Sequence, residues 1–192
     1  MKVKVGVMGS AGGPLPEEIC ELARRLGTEI ARHNCILLTG ACPGIPHESV
    51  LGAKGAGGLV IGISPALSLD EHRDRFKSPW QEYDVLIFTG SGLMGREIEN
   101  IRSCDIVVIM AGRSGTLGEF AIAYDEAKLI GVLTGTDGIA DHLEEIVGFI
   151  RKDTGGQIIY DSDPAQLMDK LLQAHEHRIR IGIAYRGPAP NP

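Results

Sequence analysis

Along the chain, unbroken apolar runs of strand length alternate with stretches in which apolar residues return every three or four positions. Residues 3–8 form the first run and 35–38 the second, with 59–63, 84–88, 106–110 and 129–133 following. Between the first two, Ile19, Leu22, Ala23, Leu26, Ile30 and Ala31 mark one face of an amphipathic helix over residues 16–33. Pro16 suits the first turn of that helix, where a missing N–H costs nothing. Further helices are predicted over 46–56, 94–104, from the glycines at 112–116 to about 128, over 139–152 and over 164–174, with a short strand at 157–160. Residues 64–83 are charged, contain Pro65 and Pro79 and lack a clear period, so they read as a long loop of the lid or insertion kind.

Strands that alternate with helices pair in parallel, because each parallel crossover needs a connecting element that packs on a sheet face. The expected fold class is therefore α/β, a three-layer, Rossmann-like, doubly wound parallel sheet. One domain over 1–186 is expected, with a frayed, Pro-rich tail at 187–192.

Composition narrows the function classes. The 19 Lys+Arg against 25 Asp+Glu give a formal charge of -6, the wrong sign for a general nucleic-acid binder. No run approaches the roughly 18 apolar residues of a membrane span, and no signal-peptide pattern follows Met1, so a cytoplasmic location is expected. Cys20, Cys35, Cys42 and Cys104 include no C-x-x-C pair, which removes support for a zinc ribbon or a thioredoxin-type site. Cys42 lies in a glycine loop and reads as a small loop residue rather than a nucleophile. His72 reads as part of a solvated charged face, and His175-Glu176-His177 has no third ligand at a useful spacing, so no metal site is expected. His47 at a helix start could meet an anion, Trp80 and Tyr83 could close over a planar base, and Arg178 and Arg180 read as surface charge or a subunit contact.

Glycine changes the picture. The chain has 26, about twice the usual share of roughly 7%. Clusters at 9–13, 40–44 and 112–115 each follow a predicted strand and precede a helix. Helix N-termini carry unpaired N–H groups and partial positive charge, and glycine lets an anion approach them. Open parallel sheets bind ligands beyond the carboxyl ends of their strands, so a phosphorylated small molecule is the expected partner. Neither G-x-G-x-x-G in register nor a P-loop pattern is present. The candidate ligand residues are Gly9, Ser10, Gly40, Gly44, Gly112, Arg113, Ser114, Gly115 and Thr116.

The segment from Arg96-Glu97-Ile98-Glu99-Asn100 through a strand to Ala111-Gly112-Arg113-Ser114-Gly115-Thr116-Leu117-Gly118-Glu119 resembles the Lonely Guy (LOG) family. More broadly it resembles that family's Rossmann-like relatives, which include molybdenum-cofactor carrier proteins. The family pattern is an Arg on the preceding helix, then P-G-G-x-G-T-x-x-E; its other glycine element resembles Thr39-Gly40-Ala41-Cys42-Pro43-Gly44. The likeness of architecture spans about residues 2–172. For the hydrolase branch it implies a nucleoside 5'-monophosphate phosphoribohydrolase, with Arg96 and Glu119 as the catalytic pair and Gly112, Gly115 and Thr116 as the phosphate turn. It also implies a homodimer or tetramer, for which Ile98, Ile101, Phe120, Ala121, Ala123 and Tyr124 offer an apolar helical face. The family's older label of lysine decarboxylase finds no pyridoxal-phosphate lysine here.

Ala111 and Arg113 stand where the family has Pro and its second Gly, and Gly118 where it has an acid. Arg113 fits an additional phosphate or fills the nucleotide pocket. Without the motif, Arg96 and Glu119 would read as an ion pair tying two helices. A binding or carrier protein for a nucleotide or molybdopterin-type ligand is the first expectation. No cofactor is required for chemistry, and a bound nucleotide or molybdenum cofactor is the ligand expected. The alternative is the phosphoribohydrolase, and a ligand-sensing module stands third; whether the protein is an enzyme stays open.

Overall fold

The computed structural model describes residues 1–182. In chain order its elements are β1 (Lys4–Gly9), α1 (Glu17–Arg32), β2 (Ile36–Thr39), α2 (Ile45–Gly55), β3 (Leu59–Ser64), α3 (Leu69–Asp74) and β4 (Val85–Phe88). There follow α4 (Gly92–Ser103), β5 (Ile106–Met110), α5 (Ser114–Asp125), β6 (Leu129–Leu133), a 3-10 turn (Gly138–His142), α6 (Leu143–Ile150), β7 (Gln157–Asp161) and α7 (Pro164–Arg180). The strands form one parallel sheet in the order β4-β3-β2-β1-β5-β6-β7. The chain walks outward from β1 to β4, returns across the sheet to the other side of β1, and walks out again to β7. Strand order therefore reverses between β1 and β5, and a crevice opens beyond their carboxyl ends.

The sheet is doubly wound, as its alternating pattern predicts. Val5 and Val7 of β1, with Ile106, Val108 and Met110 of β5, pack against α1, α2 and α7. Met8, Val107 and Ile109 point the other way, into a second core with Ile101 of α4, Phe120 of α5 and Leu143 of α6. The period-two alternation of a strand explains how one apolar run serves both layers.

Some of the surplus glycine serves packing rather than ligand. A Cβ at Gly27 of α1 would overlap the backbone of Ser49, and one at Gly52 of α2 would overlap the carbonyl of Arg24. Mid-helix glycine costs roughly 1 kcal/mol relative to alanine, and here it lets two helices approach backbone to backbone. Arg24 adds an ion pair to Glu48 at 2.7 Å across the same junction, and one to Glu17 of its own helix at 2.7 Å.

Several local expectations are corrected. Residues 64–83 are not one loop, because α3 forms within them. Ser68 caps that helix by accepting from the Glu71 N–H at 3.2 Å, while the Glu71 carboxylate accepts from the Leu67 N–H at 2.7 Å. His72 is fully buried rather than on a solvated face; its Nδ1 meets Ser64 Oγ at 2.8 Å and its Nε2 meets the Pro79 carbonyl at 3.0 Å. The predicted 139–152 helix is divided into the 3-10 turn and α6, and α7 runs past Ala174 to Arg180. Arg178 is half-buried there and donates to the Ala127 carbonyl at 2.7 Å. Four residues of the helical face assigned to subunit contact, Ile101, Phe120, Ala123 and Tyr124, are buried in this chain's own core. Ile98 of that face stays exposed on α4, beside other exposed apolar side chains that include Leu93 and Met94 of α4 and Val85, Ile87 and Phe88 of edge strand β4. The tail at 187–192 lies outside the described residues. Among those described, no helix is long and apolar enough to cross a membrane.

Candidate functional site

The crevice between β1 and β5 holds a cavity of about 310 Å³. The ends of β1 and β2, the first residues of α5, and Arg96 and Glu97 from α4 line it. Ser10, just beyond β1, ties the three loops that follow β1, β2 and β5. Its hydroxyl accepts the Gly112 N–H at 3.1 Å, and its carbonyl accepts the Ile45 N–H at 2.9 Å where α2 begins. Gly44 has φ 76°, and a Cβ there would overlap the Ser10 carbonyl, so glycine permits this junction.

The β5 loop is braced from behind. Ala111 adopts φ 48°, and its N–H donates to the buried Thr136 hydroxyl at 2.8 Å. The carbonyls of Gly112 and Ala111 accept from Ile139 at 2.9 Å and Ala140 at 3.0 Å. A left-handed alanine is strained backbone, and such strain gathers where surroundings hold a loop in one shape. Gly112, at φ 97°, packs against the side chain of Thr116.

Helix α5 starts from that loop without a side-chain cap and without an acidic residue in its first turn. Its first internal bond runs from the Leu117 N–H to the Arg113 carbonyl at 3.0 Å. The N–H groups of Ser114, Gly115 and Thr116 thus have no helical acceptor and open at the cavity wall, with the positive end of the helix dipole behind them. Arg113 is exposed and reaches across the crevice mouth, donating from Nη2 to the Gly12 carbonyl at 2.9 Å.

Arg96 and Glu119 face each other at the cavity floor, Nη1 to Oε1 at 3.7 Å, and only 5% and 8% of each residue is exposed. That separation is an ion contact too long for a hydrogen bond. Arg96 Nε is buried without a hydrogen-bond partner, so the guanidinium enters the site with donor capacity to spare. Burial pushes the Glu119 carboxyl up to about 7, while Arg96 pulls it down and Glu97 raises it further. Burial also raises the Glu97 carboxyl. The Cys42 thiol lines the cavity and is pushed up to about 11 by burial, which keeps it neutral and poorly nucleophilic at neutral pH.

Nine of the eleven residues proposed from sequence line this cavity: Gly9, Ser10, Gly40, Arg96, Arg113, Ser114, Gly115, Thr116 and Glu119. Gly44 and Gly112 stand behind the wall and shape it. Neither Trp80 nor Tyr83 lines it; Tyr83 is packed with its hydroxyl 3.0 Å from Thr39 Oγ1, and burial raises its pKa. His47 is outside it as well. Glu97 was not singled out from sequence, although it directly follows Arg96.

The model of the SLOG cluster4 family matches residues 2–168. The chain belongs to that family. Among solved structures, the TM1055 protein superposes with a TM-score of 0.78 at 26% identity, over 90% of this chain and 99% of that one. The molybdenum cofactor binding protein from Rippkaea orientalis gives 0.74 at 29% identity, over 91% and 97%. The molybdenum cofactor carrier protein from Chlamydomonas reinhardtii gives 0.73 at 31% identity, over 90% and 99%. The resemblance read from residues 96–119, to a Rossmann-like family that includes such carriers, therefore holds for SLOG cluster4 and this member of it.

Proposed function

We propose that the protein binds a phosphate-bearing small molecule of nucleotide or molybdopterin type and acts as its carrier. The observation that carries this reading is the buried Arg96 guanidinium, without a hydrogen bond of its own at Nε, facing a cavity whose opposite wall is the uncapped start of α5. A buried cation with unused donors is costly unless a ligand completes it. A phosphate group meets both features, taking paired donors from Arg and backbone N–H groups from the helix. The likeness to proteins that bind or carry the molybdenum cofactor supports the same ligand class.

The donor set fits the phosphate end of such a cargo. A cavity of about 310 Å³ is near the lower limit for small-molecule sites. It accommodates the phosphate and the ring beside it, with the rest of a larger ligand extending through the mouth under Arg113. Arg96 and α5 would hold and orient the phosphate, while Ser10 and the residue 138–140 turn keep the loops from moving.

One observation favours a second reading. Glu119 titrates near neutrality and contacts Arg96, so it could orient water or stabilise positive charge on a ribose during base release. The phosphoribohydrolase is kept as the alternative for that reason.

A thermal-shift panel of nucleoside monophosphates and phosphorylated pterins tests the carrier reading, because a ligand stabilises by an amount set by its affinity. Gly115→Val in the same panel adds a branched side chain at the helix start. It should fold and lose the response. Wild type indifferent to every phosphate ester would end this reading.

A further inference from the structure

Glu97 is a half-buried carboxylate on the cavity wall, yet no side-chain hydrogen bond or ion pair joins it to another described residue. Its neighbour Arg96 turns to Glu119 instead. Glu97 lies against two glycines one turn apart on the facing helix. A Cβ at Gly115 would stand 3.8 Å from Oε1, and one at Gly118 would stand 3.7 Å from Oε2. The carboxylate therefore lies beside the first turns of α5, within roughly one helical pitch of about 5.4 Å from the terminal N–H groups.

An acceptor-only group so close to an anion site repels a second phosphate and attracts donors. What occupies that position in a phosphate ester is the ring joined to the phosphate through one carbon. We propose that Glu97 is the specificity-determining residue of the site, its carboxylate accepting hydrogen bonds from O–H or N–H donors on that ring. Ribose supplies such donors as hydroxyls, and a reduced pterin-type heterocycle supplies them as ring N–H groups. The inference rests on the phosphate-ligand reading above and adds to it the chemistry of the neighbouring group. It also assigns opposite tasks to two adjacent residues of α4: Arg96 to the anion and Glu97 to the donors next to it. Desolvation of the unpaired carboxylate adds to the preference, because a donor-bearing ring relieves it and bare phosphate does not.

The test is isothermal titration of the 192-residue chain with three probes. They are inorganic phosphate, ribose 5-phosphate, and a reduced pterin carrying a phosphorylated hydroxymethyl group. Wild type should bind at least one of the two esters about tenfold or more tightly than inorganic phosphate, a ratio worth about 1.4 kcal/mol. Glu97→Ala should reduce that ratio below about twofold, while affinity for inorganic phosphate stays or rises as a negative charge leaves the site. Glu97→Met, which keeps the length of the side chain without an acceptor, should behave alike and serves if the Ala variant does not fold. The ester whose advantage collapses identifies the ring. Phosphate binding with no ester preference in wild type, or a preference that survives both folded substitutions, overturns the assignment to Glu97 and leaves the phosphate site standing. Failure of wild type to bind any probe, inorganic phosphate included, overturns both.

Discussion

The guanidinium of Arg96 occupies the space that a side chain at Gly40 would take, so a Cβ at position 40 would overlap Nη1. Gly40 ends the segment after β2, while Arg96 comes from α4, on the far side of β3 and β4 in the chain. The glycine expected to approach a ligand with its backbone instead makes room for the side chain that faces the ligand space.

Gly40→Ala is therefore expected to displace the end of a flexible side chain rather than backbone. Stability should fall by no more than about 1 kcal/mol, within the range of mild substitutions. Phosphate-ester affinity should fall tenfold or more, the scale of one charge-assisted hydrogen bond. Gly9→Ala provides the contrast, since its Cβ would lie 2.6 Å from the Met110 carbonyl and backbone cannot yield so cheaply. Urea denaturation and ligand titration of both variants check the pair; equal binding by wild type and Gly40→Ala would remove the link between Gly40 and Arg96.

Glu119 gives stability a pH dependence. Its carboxyl lies near 7 in the folded chain against an ordinary 4.5, so the native state holds a proton that the unfolded state releases. The stability from this protonation is present in full below the unfolded value and is lost as pH rises toward and through 7. The whole window is worth on the order of 3 kcal/mol. Glu119→Gln imitates the protonated form and should remove the dependence, matching wild type near pH 4.5 and exceeding it near pH 8. Denaturation midpoints at those two pH values decide; the same difference at both would show that Glu119 keeps an ordinary carboxyl.

Much of the fold was legible because each strand is an apolar run and α1 shows a clear apolar face. Both cores were thus visible in outline before any contact was known. Helix α3 was hidden because its six residues are too few to show a period. Its one readable signal was the Ser68-x-x-Glu71 cap, set among charges that resemble a loop. The close approach of α1 and α2 was also hidden, since Gly27 and Gly52 in helices look like weak points until the partner backbone is seen. The site was legible as loops and as the Arg96…Glu119 spacing. Glu97 was not, because its place beside Gly115 and Gly118 depends on how α4 packs against another helix. The role of Ser10 in joining three loops depends on the switch between β1 and β5, which no single segment encodes.

The uncovered apolar side chains of β4 and α4 point to association in solution. Edge strands with exposed Val85, Ile87 and Phe88, flanked by Leu93 and Met94, are a liability when left open. Light scattering should give a species at least twice the 20.5 kDa of one chain. Met94→Asp combined with Ile87→Asp should shift it to the single-chain mass, with the fold retained because both positions are exposed. A wild-type mass of one chain at micromolar concentration would end this expectation.

Arg113 is already engaged in the structure, donating to Gly12 across the crevice mouth at 2.9 Å. If it exchanges that carbonyl for a ligand phosphate, Arg113→Gly should weaken binding of a phosphorylated ligand by about 1.5–3 kcal/mol. If it only blocks the mouth, the same variant should bind a nucleoside monophosphate more tightly than wild type. Weaker binding is the expected result, and titration with AMP and with a phosphorylated pterin reads it directly. A gain for AMP would make Arg113 an obstruction.

Base release separates the carrier from the hydrolase. As a carrier, wild type should liberate no adenine from AMP above background, and Glu119→Gln should alter affinity alone. A transition-state role has a different signature, because a carboxylate that stabilises developing charge on ribose lowers turnover when replaced without an equal loss of ground-state binding. The contact at 3.7 Å between Arg96 and Glu119 makes both behaviours geometrically accessible, so the rate and not the geometry decides. The replacement is well suited to this measurement: Gln has nearly the shape of the protonated carboxyl that Glu119 carries below pH 7, and it leaves Arg96 in place. Chromatographic assay of adenine over a pH series from 6 to 8 provides the readout. Flat, background-level release in both proteins is expected. Robust release by wild type that rises as Glu119 ionises and disappears in Glu119→Gln would assign the protein to the phosphoribohydrolases.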